Sequence, residues 1–325
     1  MTFFRVVMSV LAAAIATTPA QAQQRDKLTF GWTSGPDMPA VALTIDDNLW
    51  AAEGLEVNVV KFPSGAQAMQ ALIGGQLDLA CVGELPAVIG AMREQNFRIV
   101  ADISRYQGNR IIVASATPVT TRDLQKRKVG VTIGTGPHFM LERELAKDGV
   151  KAEIVNAAPT DLLPALIRGD IDAAFMFPTF YAGTKVALGN RYQEILTPDS
   201  PTHFLLIGTT TLVSDRSELV KKFLDALLKA EKRAAANPAA AQEAISRVVG
   251  KVLSPDAIRL GWSEYNYGIS LDASLIEIAM LEGSWLKERG FVKNVEPTQA
   301  LFRKYISDGA LSSVAADRVQ LKKAD

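Results

Sequence analysis

Apolar runs and amphipathic stretches alternate along the chain, and one series of them occurs twice. Residues 27–60 have the pattern of a strand, a polar loop, a helix, a glycine and a second strand. Residues 128–155 repeat that order, again with a glycine before the second strand. Strands that alternate with helices predict parallel sheets covered by helices on both faces.

A ten-residue pattern, A-L-I-x-G-x-[L/I]-D-x-A, follows each series, at 71–80 and at 165–174. Its apolar triplet ends a helix, its glycine supplies a left-handed turn, and its aliphatic residue begins a buried strand. We predict that Asp78 and Asp172 stabilise the turn and have no catalytic role. A repeat at this spacing indicates a duplicated domain, so two similar α/β lobes are expected.

The chain should cross between the lobes at two strand-like runs, 103–117 and 204–213. The pattern then becomes helical and should return to the first lobe, with helices predicted at 218–236, 238–249, 255–262, 273–289 and 298–306. The expected boundaries are 23–108 for the first part of lobe 1, 109–205 for lobe 2, and 206–325 for the return to lobe 1 and the C-terminal helices.

Residues 1–22 have the pattern of a cleavable secretory signal peptide. Arg5 precedes an uncharged apolar run, and Ala20-Gln21-Ala22 matches a cleavage site, which places cleavage near Ala22. The run is shorter than the ~20 residues that span a membrane, and no cysteine follows it for lipid attachment. We therefore expect a periplasmic, monomeric mature protein.

Composition excludes several classes of function. Thirty-five Lys and Arg balance thirty-five Asp and Glu, which gives no support for a nucleic acid partner. The one cysteine, Cys81, allows no internal disulfide and lies in an apolar run without a histidine beside it. Nucleophile, metal and phosphate-loop motifs do not occur in the sequence, so neither a cofactor nor a metal is expected.

Ligands of open α/β sheets bind at the carboxyl ends of the strands, where loops lead into helix N-termini. Free N–H groups at such helix starts suit an oxyanion. The candidate ligand-binding residues in these loops are Trp32, Ser34, Ser64, Gly65, Glu84, Thr135, Gly136, His138, Phe177 and Tyr181.

Arg105 and Glu84 are the charged candidates. Arg105 precedes the first crossover and would clamp a carboxylate or sulfonate if it faced the cleft; otherwise it is a solvated surface residue. Glu84 would bind a ligand amine or hydroxyl, or would only complement the dipole of its own helix.

Several segments together resemble the nitrate/sulfonate/taurine-type solute-binding proteins of ABC importers and the related pyrimidine-precursor binders. The matching segments are Trp50-Ala51-Ala52-Glu53-Gly54-Leu55-Glu56-Val57, Ser64-Gly65-Ala66-Gln67, Gly75-Gln76-Leu77-Asp78, Val82-Gly83-Glu84-Leu85-Pro86-Ala87, 129–138 and Gly169-Asp170-Ile171-Asp172-Ala173.

The resemblance implies a type II periplasmic binding protein fold, a ligand between two lobes, and an inner-membrane ABC permease with its ATPase as partners. A sulfonate or taurine is the first choice of ligand; nitrate, an aromatic acid and a pyrimidine precursor are alternatives. Two segments depart from the family's pattern at positions that the resemblance implies contact the ligand. They are Phe177-Pro178-Thr179-Phe180 and Thr135-Gly136-Pro137-His138. An enzyme relative, desulfinase-like or pyrimidine-synthase-like with an activated Cys81, and an extracytoplasmic sensor module are the competing functions.

Overall fold

The computed structural model describes residues 25–33, 35–197, 201–250 and 254–321. The predicted signal peptide at 1–22 and the candidate ligand residue Ser34 lie outside these residues. None of the helices in the described ranges combines the length and apolar character needed to cross a membrane.

The strands of the described chain are, in order, β1 Asp26–Trp32, β2 Leu55–Lys61, β3 Leu79–Gly83, β4 Phe97–Tyr106, β5 Arg110–Ala114, β6 Lys128–Val131, β7 Glu153–Asn156, β8 Ala173–Phe175, β9 Tyr192–Leu196, β10 Thr202–Thr209, β11 Tyr265–Asn266, β12 Leu271–Asp272 and β13 Val319–Gln320.

The helices are α1 Pro39–Asp46, α2 Leu49–Ala52, α3 Gly65–Ile73, α4 Glu84–Met92, α5 Gly136–Lys147, α6 Leu162–Arg168, α7 Tyr181–Leu188, α8 Thr210–Asp215, α9 Ser217–Ala236, α10 Pro238–Val248, α11 Pro255–Leu260, α12 Ala273–Glu288, α13 Gln299–Tyr305 and α14 Gly309–Val314.

Two sheets carry the architecture, and they have the same layout. The first has the order β2-β1-β3-β10-β4-β11, and the second has the order β7-β6-β8-β5-β9. In each, three parallel strands are followed by an antiparallel one, β10 in the first sheet and β5 in the second. The predicted α/β fold with two similar sheets is confirmed.

The repeated sequence pattern corresponds to a repeated contact. Asp78 accepts a hydrogen bond from a backbone N–H of β1 at 2.7 Å, and Asp172 accepts one from β6 at 2.9 Å. Gly75 and Gly169 precede them with φ of +74° and +81°, a conformation that costs glycine little. Both aspartates therefore join the start of one strand to the backbone of its neighbour, a contact beyond the turn that the sequence predicted them to stabilise.

The chain passes between the sheets from β4 to β5 and again from β9 to β10, as the strand pairings show. The first passage falls inside the predicted run 103–117. The predicted second crossover at 204–213 is wrong, because that run lies in β10 and α8, beyond the passage. Its apolar residues are those of a central buried strand, whereas the passage itself has a polar, proline-containing sequence.

The helices predicted after the second sheet correspond to α9 through α13 and pack on the first sheet. Helix α9 lies against α1 and β2, while α12 and α13 lie against α4. Phe223 of α9 contacts the rings of Phe30 and Trp50, with centroids 5.1 and 4.7 Å away. Burial of such side chains stabilises each by about 1.5–3 kcal/mol, so the tail supports the first lobe from behind.

Candidate functional site

Helix starts gather at the carboxyl ends of the parallel strands. Helices α1, α3 and α4 begin after β1, β2 and β3, and α5 and α6 begin after β6 and β7. Ser64 caps α3 by accepting the N–H of Gln67 at 3.4 Å. A Cβ on Gly65 would lie 3.2 Å from the backbone nitrogen of Gly83, so the starts of α3 and α4 are closely packed.

The two lobes meet where the starts of α4 and α5 face each other. A Cβ on Gly136 would lie 3.7 Å from Oε1 of Glu84. The hydroxyl of Thr135 donates to the carbonyl of Thr132 at 2.6 Å and makes no cap bond to α5. The structure thus brings together Glu84, Thr135 and Gly136, three of the residues predicted to contact the ligand.

Glu84 is buried although it is a carboxylic acid at the boundary between the lobes. Its Oε2 accepts the backbone N–H of His203 at 2.9 Å. Its Oε1 has no hydrogen-bond partner among the described residues. Burial raises the pKa of Glu84 to about 7, against the lowering effects of His203 and backbone hydrogen bonds.

Asp37 is a second buried acid, in the loop that follows β1, and sequence reasoning did not single it out. Its side chain is 7% exposed, and burial raises its pKa to about 7, opposed by a backbone hydrogen bond. Burial, together with the charge of Asp37, raises the pKa values of Tyr265 and Tyr267. Their rings stack 5.3 Å apart, and the Tyr267 hydroxyl is buried with no partner in the described chain.

The signal for this acidic and aromatic patch was weak in the sequence. Asp37 is the one acid of its loop, and that fact alone marks it. Tyr265 and Tyr267 lie more than two hundred residues later, just after a predicted helix, where no local pattern connects them with Asp37.

Arg105 has protein partners on its guanidinium. Its Nε is 2.7 Å from Asp102 Oδ2, and its Nη2 contacts Asp272 at 2.7 Å and the Ser270 hydroxyl at 3.1 Å. The side chain is 16% exposed, and the imidazole of His203 shares the same Asp102 oxygen at 2.7 Å. Two carboxylates, Asp102 and Asp272, therefore engage the guanidinium of Arg105 within the first lobe.

His138 packs against the C-terminal part of the chain. Its ring meets Trp285 edge-on at 5.2 Å, Nδ1 accepts the N–H of Gly134 at 3.3 Å, and Nε2 lies 3.4 Å from Glu142. Burial lowers its pKa. Glu142 also accepts the indole N–H of Trp285 at 2.6 Å, so this cluster joins α5 to α12.

The aromatic candidates have separate environments. Trp32 is fully buried in the core, and its indole N–H has no partner among the described residues. Tyr181 is buried under the guanidinium of Arg110, 5.0 Å from its ring centre, and its hydroxyl accepts the backbone N–H of Arg110 at 3.2 Å. Phe177 is half-buried at the carboxyl end of β8, so it alone of the three combines partial exposure with a strand-end position.

Comparison with known proteins finds a matching family model and a related periplasmic binding protein. Residues 41–241 match the model of the family described as NMT1/THI5 like. The taurine-binding periplasmic protein of Escherichia coli K12 is 27% identical over 71% of this chain and 73% of its own length.

Solved structures match nearly the whole chain. The periplasmic aliphatic sulphonate binding protein SsuA of Escherichia coli has a TM-score of 0.76 at 18% identity, covering 92% of this chain and 95% of SsuA. The desulfurization enzyme DSZB has a TM-score of 0.65 at 16% identity, covering 90% of this chain and 99% of DSZB. At these identities the structures establish the fold alone.

Proposed function

The chain belongs to the NMT1/THI5-like family and has the two-lobed periplasmic binding protein fold, and on this premise we propose that it is the periplasmic substrate-binding component of an ABC importer. The observation that carries the proposal is the approach of Glu84 and Gly136 from two different lobes. A ligand held there touches both lobes and stabilises their closure. An inner-membrane permease and its ATPase would receive the ligand.

The proposed ligand is a small zwitterion of the taurine type. Asp37 and Glu84 place two buried carboxyls on the first lobe, and rings of Tyr265 and Tyr267 lie near the first of them. Carboxylates and aromatic faces both attract an ammonium group. The start of α5 offers the backbone N–H of Gly136 and a positive helix end to the sulfonate. Pro137 has no N–H, and the N–H groups of His138 and Phe139 donate to the carbonyl of Thr135.

An enzymatic function has weaker support. Cys81 is fully buried in β3, and burial, with the nearby charge of Asp37, raises the pKa of its thiol well above the usual value. A nucleophilic cysteine needs the opposite shift and access to substrate. A sensor role would use the same cleft with a different protein partner, and adjacent permease and ATPase genes would favour the importer.

Calorimetry with three probes of one carbon skeleton tests the proposal. Taurine carries an ammonium and a sulfonate, ethanesulfonate lacks the ammonium, and ethylamine lacks the sulfonate. We expect taurine to bind most tightly and to raise the melting temperature, since a ligand at a hundredfold excess over Kd adds about 2.7 kcal/mol to the folded state.

Nitrate, benzoate and a pyrimidine serve as comparison ligands in the same screen. If the protein bound one of them more tightly than taurine, the proposed ligand class would be wrong and the proposed binding function would stand. If none of these small molecules gave heat of binding in calorimetry or raised the melting temperature, the binding function itself would be contradicted.

A further inference from the structure

Two glutamates, Glu84 of α4 and Glu282 of α12, meet in the interior of the first lobe. Glu282 is fully buried, and its carboxyl lies within hydrogen-bonding range of Glu84. In the described part of the chain, no N–H or O–H donates to either oxygen of Glu282 or to Oε1 of Glu84. The backbone N–H of His203 serves the remaining oxygen, Oε2 of Glu84.

A proton is the simplest group that satisfies such a pair. Two carboxylates in contact and away from water cannot both be ionised. Burial, together with the charge of Glu84, raises the pKa of Glu282 well above its ordinary value. The void beside Glu84 is about 10 Å³ and otherwise lined by apolar side chains and Tyr305, which leaves no space for a hydrated metal ion.

The other charged groups around Glu84 are engaged with one another. His203 and Arg105 share the Asp102 carboxylate at 2.7 Å each, and Arg105 also contacts Asp272. Across the lobe boundary the group facing Glu84 is the uncharged Gly136. Asp37 is the other buried acid of the first lobe with a pKa raised to about 7, and burial together with its charge raises the pKa values of Tyr265 and Tyr267. The carboxyl pair is the titratable element that faces the second lobe at Gly136.

We propose that Glu84 and Glu282 form a proton-sharing pair whose protonation state selects the charge of the ligand. The proposal rests on the proposed function, because it concerns the same cleft. Glu282 is a positioning residue that acts by donating its proton to Glu84. When Glu84 is ionised, the pair favours an ammonium group; when Glu84 takes up a second proton, the pair is neutral and admits an anion.

The test measures affinity for taurine and ethanesulfonate between pH 6 and pH 8. Ethanesulfonate affinity should fall as pH rises, with a limiting slope of about tenfold per pH unit for one linked proton. Taurine affinity should not fall over this range. In Glu84→Gln the part of the ethanesulfonate profile that depends on the pair should disappear. In Asp37→Asn, which removes the other buried acid with a pKa near 7, that part should remain.

Variants of Glu282 separate positioning from a merely structural role. Glu282→Leu removes the donor to ionised Glu84 and should move the midpoint of the ethanesulfonate profile to higher pH. Glu282→Gln keeps an amide donor and should return the midpoint towards that of the wild type. An unchanged midpoint in Glu282→Leu would contradict the proposal.

His203 requires its own control, because its backbone N–H donates to Glu84 and its imidazole shares the Asp102 carboxylate with Arg105. His203→Asn keeps the backbone N–H that Glu84 accepts and removes the ring. The pH profile should persist in His203→Asn. If the pH dependence of ethanesulfonate affinity disappeared in His203→Asn but remained in Glu84→Gln, the imidazole would be the titrating group and the proposal would be overturned.

Carbon-13 NMR of glutamate carboxyls, recorded without ligand, makes failure of the pair distinguishable from failure of the proposed function. One carboxyl should titrate near pH 7 in the wild type and disappear in Glu84→Gln. If taurine bound but no such carboxyl were observed, the proposed proton-sharing pair would be wrong and the proposed binding function would stand. The reverse result, with the carboxyl present and no probe bound, would overturn the binding function and leave the pair.

Discussion

Replacing Glu282 by glutamine should stabilise the protein increasingly as pH rises. Folding raises the pKa of Glu282 above its ordinary value of 4.5 through burial. Above pH 4.5 the unfolded chain releases this proton while the folded chain keeps it, so rising pH favours unfolding. The stability present below pH 4.5 is lost until the folded pKa is reached.

The magnitude follows from the linkage relation. Each pH unit in that window removes about 1.4 kcal/mol from the free energy of unfolding of the wild type. Glu282→Gln has no proton to release, so its advantage over the wild type should grow with each pH unit above 4.5 by up to the same amount, until the folded pKa of Glu282 is reached. Comparing two pH values removes any constant difference between the carboxyl and the amide.

Urea unfolding at pH 5, 6 and 7, followed by circular dichroism, measures this difference. Glu277→Gln is the matched control, because Glu277 is an exposed glutamate on the same helix, α12. Its pH dependence should equal that of the wild type. If the Glu282→Gln and wild-type stabilities changed in parallel with pH, Glu282 would be ionised in the folded protein and the reasoning would fail.

Gly136→Ala should bind taurine normally, because its Cβ would make an ordinary contact, 3.7 Å from Oε1 of Glu84. Gly136→Val has a larger side chain at the same place, so its affinity for taurine, measured by calorimetry, should be about tenfold weaker. The melting temperature of Gly136→Val without ligand should be unchanged. Asp78→Ala should lower the free energy of unfolding by about 1–3 kcal/mol in urea, with taurine affinity intact. Arg105→Ala should destabilise the fold by about 3–5 kcal/mol, because buried Asp102 loses its cation, while taurine affinity measured by calorimetry is retained. Asp37→Asn should weaken taurine binding by about tenfold and spare ethanesulfonate in parallel titrations.

The fold was predictable where the determining interactions are local. The glycines of the repeated pattern act within one turn, at Gly75 and Gly169. The aspartates were predicted to stabilise that turn, but Asp78 and Asp172 accept N–H groups of strands 49 and 44 residues earlier. Helices α9 to α13 are predictable from periodicity and from the proline breaks Asn237-Pro238 and Ser254-Pro255, whereas α8 lies in a run predicted as a strand. The second crossover was misplaced because an apolar run marks a buried strand and does not show where the chain leaves a sheet.

The candidate site was predictable only in part, because the partners of its charged groups are distant in sequence. Arg105 meets Asp272, 167 residues later, and this pairing decides whether the guanidinium is free. His138 packs on Trp285 through a contact between α5 and α12. Loop position correctly brought Glu84 and Gly136 together because strand ends of both lobes converge on one boundary.

The charges at this boundary are the reason for proposing a zwitterion as the ligand in place of a plain anion. The first lobe contributes two buried carboxyls, Asp37 and Glu84, whereas the second contributes the start of α5 at Gly136. A ligand stabilises the closed arrangement only by as much as it binds that arrangement better than the open one. A plain anion gains its main attraction from the second lobe and meets carboxyls on the first, unless a proton neutralises them. A zwitterion gains from both lobes at once, so the charge pattern of the two walls couples ligand choice to closure.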